Sequence, residues 1–97
     1  MSWINWLIKA ALTAVAVWLI TETVSYVITK QSLRNLLLQK KSKRKFEDLV
    51  SVIIQKSDGH EVTFDMFDSQ QNNLGSGKVT SKAGVSKDIY AGELIVL

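Results

Sequence analysis

Trp3 to Thr29 reads WINWLIKAALTAVAVWLITETVSYVIT, 27 residues charged only at Lys9 and Glu22. A helix rises about 1.5 Å per residue and a bilayer core is about 30 Å thick, so roughly 20 apolar residues suffice to cross. The uncharged stretch from Ala10 to Thr21 is apolar all round except for Thr13 and Thr21, with no polar face of the kind an interfacial helix needs. Lys9 can snorkel outward on its aliphatic stem. Trp3 and Trp6 stand at one end of the stretch and Trp18 and Tyr26 toward the other, as two membrane-interface belts would. The stretch therefore predicts one transmembrane helix within residues 1–29.

On such a helix Ala10, Ala14, Thr21 and Ser25 form a stripe of small residues, which lets a second helix approach closely. Glu22 lies at the edge of that stripe and would be an intramembrane acid, marking either a functional site or the membrane boundary.

Charge divides the chain outward from this stretch. Residues 30–45 carry seven basic side chains and no acid, whereas residues 46–97 carry eight acids and four lysines. The whole-chain excess of +3 thus hides one short basic block in front of a mildly acidic remainder. That segregation argues against a uniform nucleic-acid-binding surface. Leu33, Leu36 and Leu37 repeat at helical spacing, so an amphipathic helix is expected to continue to about Lys40. Lys40, Lys41, Lys43, Arg44 and Lys45 then form a juxtamembrane cluster suited to anionic lipid headgroups. By the positive-inside bias the N-terminus is translocated and the C-terminal domain is cytoplasmic, or on the interior face of a virion membrane.

Residues 46–97 read as a small β-rich domain. Leu49 to Gln55 is dense in β-branched residues, and Glu61 to Phe67 alternates, with Val62, Phe64 and Met66 on one face. Asp58-Gly59 between them signals a hairpin turn. Residues 69–81 are polar and glycine-containing and read as a loop. A last strand falls within 88–97. So few strands bury little surface, and their edges are expected to seek a partner subunit or copies of the same chain.

Chemical motifs fail. Gly75-Ser76-Gly77-Lys78 resembles a phosphate loop only in part, because Asn72 stands where the first glycine belongs and Val79 where Ser or Thr belongs. His60 lies among turn acids, and one histidine gives poor transition-metal specificity. With no cysteine there is no thiolate chemistry and no disulfide framework. No catalytic, cofactor-binding or metal residue is assigned, and neither an enzyme nor a small-molecule substrate is expected.

The fold expected is an α+β membrane protein: a transmembrane helix (1–29), a basic juxtamembrane segment (30–45) and a small antiparallel β domain (46–97). The function expected is that of a single-pass structural or accessory subunit, whose β domain docks on partners in a larger membrane-associated assembly. Two further readings are a homo-oligomeric pore or holin-type lysis protein, and a membrane tether for nucleic acid through residues 40–45.

Overall fold

A computed structural model describes residues 18–43 and 46–97. Within them the order of elements is β1 (Trp18–Val24), α1 (Lys30–Lys41), β2 (Ser51–Ser57), β3 (Glu61–Phe67), β4 (Asn73–Ser81) and β5 (Leu94–Val96). The strands form one sheet in the order β1-β4-β3-β2-β5.

The deciding stretch is corrected here. Its second half is an edge strand and not the end of a membrane helix: β1 pairs parallel to β4, from Trp18 opposite Ser76 to Val24 opposite Ser81. Seven of the twelve residues from Trp18 to Thr29 are β-branched, a composition that loses side-chain freedom in a helix and packs well on a pleated sheet. Beyond Trp18 the burial alternates. Ile20 is buried, Thr21 and Thr23 are exposed, and Glu22 and Val24, which alternate with them, are half-buried. Summed hydropathy is blind to that period of two.

Among the described residues no helix is long and apolar enough to cross a membrane. The transmembrane helix, the single-pass topology and the orientation built on it therefore fall. Within residues 46–97 the strand pairings β2–β3, β2–β5 and β3–β4 are antiparallel, and β1, from outside that range, adds a parallel pair that makes the sheet mixed. The part of the expected span before Trp18 lies outside the described residues.

The helix begins afresh at Thr29 rather than running on from the apolar stretch. Thr29 is extended, and its hydroxyl accepts from Ser32 N at 3.0 Å while Ser32 Oγ accepts from Thr29 N at 2.7 Å. This reciprocal cap satisfies two amides that a continuous helix would have bonded internally. Leu33 and Leu37, one turn apart, are buried and join Val52, Ile54, Val62 and Phe64 in the main core, with Leu36 packed against it. Ile20 and Ile28 belong to the same core, so β1 and the segment after it are built into one hydrophobic unit with the C-terminal strands.

The β2–β3 hairpin turns at Asp58, whose Oδ1 accepts from the amides of His60 and Glu61 at 2.9 and 2.8 Å. Those two amide bonds, His60 first, hold the Asp58 carboxyl below its ordinary pKa, because they favour the charged form.

Residues 69–81, read as a loop, divide differently. Only the beginning is a turn, and Asn73–Ser81 is the strand β4, flanked by β1 and β3. One of its glycines carries a packing role. Gly77 stands opposite Phe64, and a Cβ at Gly77 would overlap the Phe64 ring. On the opposite face of β3, buried Asp65 accepts from Gln55 Nε2 at 2.6 Å and from Ser76 Oγ at 2.9 Å. Both side-chain oxygens are thus hydrogen-bonded, as buried polar atoms require.

Candidate functional site

The basic block points inward more than its composition implies. Lys40 pairs with Glu22 across to β1. Lys41 Nζ donates to Leu49 O at 2.6 Å, and Arg34 Nε donates to Val96 O at 3.1 Å. Lys30 pairs with Glu93, whose carboxylate hydrogen bond raises the lysine above its ordinary pKa. Each of these cations ties α1 to a neighbouring segment of chain. Lys43 is exposed, while Arg44 and Lys45 lie outside the described residues. Lys40 and Lys41 also close the last turn of α1, where positive charge complements the helix dipole. Lys40→Gln is expected to lower stability by about 0–1 kcal/mol in urea unfolding, the range for a partly solvated ion pair. A larger loss would show that the Glu22 pair is shielded from water.

The residues expected to serve a membrane span are redistributed. Glu22 is a strand residue held by Lys40 and not an intramembrane acid. Thr21 lies on β1 and Ser25 just after it, both exposed, so they do not share a helix stripe. Ala10, Ala14, Trp3 and Trp6 lie outside the described residues. Trp18 and Tyr26, expected at a membrane interface, flank β1 at its two ends and are 50% and 45% exposed, with Val27 beside Tyr26. Lys78 on β4 sits over the Trp18 ring, 5.8 Å from its centre, within range of a cation–π contact.

Among the described residues no three metal-ligating side chains cluster. A cleft between α1 and β5 is lined by Lys30, Arg34, Asp88 and Glu93 with Leu94 and Val96. Its ionic groups partly neutralise one another through the Lys30–Glu93 pair, and its lining contains no hydroxyl nucleophile.

The two edges of the sheet differ sharply. β5 has three residues, and Arg34 from α1 reaches over to the carbonyl of Val96. A short edge of this kind, with one carbonyl already bonded by a side chain, resists pairing with another chain. β1 has seven residues and no strand on its outer side among the described residues. It contains no proline and no lysine, the residues that usually blunt an edge, and its one charge is engaged by Lys40. On the side away from β4 an edge strand carries amide and carbonyl groups in strand geometry, the groups through which another strand can be added. At its far end Thr23, Val24, Ser25 and Tyr26 line a shallow depression with Lys82.

Sequence reasoning missed this edge because it read the stretch by hydropathy. The signal was Ile20-Thr21-Glu22-Thr23-Val24, where four β-branched residues surround the single acid. Comparison with family models, with characterised proteins and with solved structures finds no match for this chain.

Proposed function

We propose that this chain is a structural or accessory subunit that joins an assembly by lending β1, an edge strand with no outer neighbour among the described residues, to a strand of another polypeptide. The observation that carries the reading is the contrast between the edges. One is three residues long with its Val96 carbonyl bonded by Arg34, whereas the other is seven residues long, rich in β-formers and without an outer strand among the described residues. In strand addition the main-chain hydrogen bonds supply affinity, and side chains alternating along the edge supply selectivity. Exposed Trp18, Tyr26 and Val27 add apolar surface at both ends of that edge. The engagement of Lys30, Arg34, Lys40 and Lys41 within the chain supports a protein partner over the phosphates of lipid or nucleic acid.

The test is a photo-crosslinking amino acid placed at Thr21 in the full chain, in the cells that produce it. Lys56, exposed at the far end of the β2–β3 hairpin, is the control position. An adduct of defined mass from Thr21 and none from Lys56 is expected. Equal labelling at both positions, or none at Thr21, would remove the edge from consideration.

A further inference from the structure

We infer that the strand added to β1 is β1 of a second copy, antiparallel, with Thr21 at the two-fold axis. This rests on the strand-addition reading and names its occupant. Centred on Thr21, the pairing sets Thr21 against its own copy and Ile20 against Glu22 of the other. The single charged residue of the strand therefore never meets itself, and Thr–Thr is a favourable cross-strand pair. Because each Glu22 is already paired with its own Lys40, the strand itself brings no unpaired charge to the seam.

The ends of the strand are complementary in the same arrangement. Antiparallel pairing carries Trp18 of one copy to the Val24 end of the other, next to exposed Tyr26 and Val27. The shallow depression lined by Thr23, Val24, Ser25, Tyr26 and Lys82 lies at that end. A half-exposed indole thus arrives beside a partly apolar hollow that Lys82 helps to line and that no described residue fills, and the exchange happens twice by symmetry. A parallel partner would instead leave each hollow empty and bring Trp18 against Trp18.

Thr21 is exposed and the chain has no cysteine, so Thr21→Cys is a clean reporter. Paired residues in antiparallel strands have Cα atoms about 4.5–5.5 Å apart, within the span of a disulfide. On oxidation the Thr21→Cys chain is expected to form a disulfide dimer, and a Lys56→Cys control is not. In sedimentation the wild-type chain is expected to run at twice its chain mass. Thr21→Lys and Thr21→Glu each put like charges opposite at the axis and should weaken dimerisation about fivefold. Mixing the two variants should restore it, a recovery that misfolded variants could not give.

A wild-type chain monomeric at all concentrations, or variants that dimerise as well as wild type, would overturn the self-pairing. If the crosslink at Thr21 then carries a different polypeptide, strand addition stands and only its occupant changes. No adduct at Thr21 would end both.

Discussion

Phe64→Ala is expected to lower the unfolding free energy by about 3–5 kcal/mol, the loss typical of emptying a buried aromatic site. Phe64 lies on β3, flanked by β2 and β4, and is completely shielded from solvent. The ring occupies the space that Gly77 leaves by having no side chain. It shares one cluster with Leu33 and Leu37 of α1, so its removal leaves a cavity beneath the helix. Urea unfolding followed by circular dichroism measures the loss. The reciprocal change, Gly77→Ala, is expected to cost about 1–3 kcal/mol by overpacking against the same ring. The two changes should be strongly non-additive, because the cavity made by one accommodates the methyl of the other. Independent, additive losses would mean that Phe64 and Gly77 do not meet.

Ile20→Asp carries the second large effect, a loss of about 4–5 kcal/mol or more, enough to unfold a domain of ordinary stability. The side chain is buried in the main core, and a carboxylate there would have to shed its water without a partner. Thr23→Asp, three residues on, should change stability by no more than about 0.5 kcal/mol, since that side chain is exposed. The contrast distinguishes a strand from a span. In a strand the cost alternates with a period of two, whereas an acid facing lipid at either position would be costly. Comparable penalties at both positions would return residues 18–24 to a membrane helix.

The hairpin was legible because its signals are local. The alternation of Val62, Phe64 and Met66 and the Asp58-Gly59 turn each specify β structure within a few residues. The leucines of α1 were legible by their spacing, although the start of the helix was not. The expected helix ran in from the span, whereas Thr29 and Ser32 cap a new one. β4 escaped notice because Asn73, Gly75, Ser76 and Gly77 have low strand propensity. They are strand residues because β1 and β3 supply hydrogen bonds on both sides and Phe64 needs the space at Gly77. β1 escaped for the opposite reason. Its apolar residues suited both a bilayer and a sheet, and the partner that decided between them, β4, is remote in the chain. The basic block was legible as charge but not as contact, because nothing local shows that Lys40 reaches Glu22 or that Arg34 reaches Val96.

The parallel pairing of β1 with β4 also sets a schedule for biosynthesis. About 50 residues separate the two strands, and at about 5–20 residues per second the ribosome needs roughly 2–10 s to deliver the second after the first. Throughout that interval the nascent chain carries Trp18–Val24, with its hydrophobic flank, before β4, the strand it pairs with, has been made. The β2–β3 hairpin can close as soon as it emerges, but β1 must wait for β4 to form beside β3 before it has a place to dock. Non-local pairing of this kind slows folding and prolongs exposure of sticky backbone. Residues 18–24 are therefore the segment for which a ribosome-associated chaperone, or a neighbouring nascent copy on the same polysome, would compete.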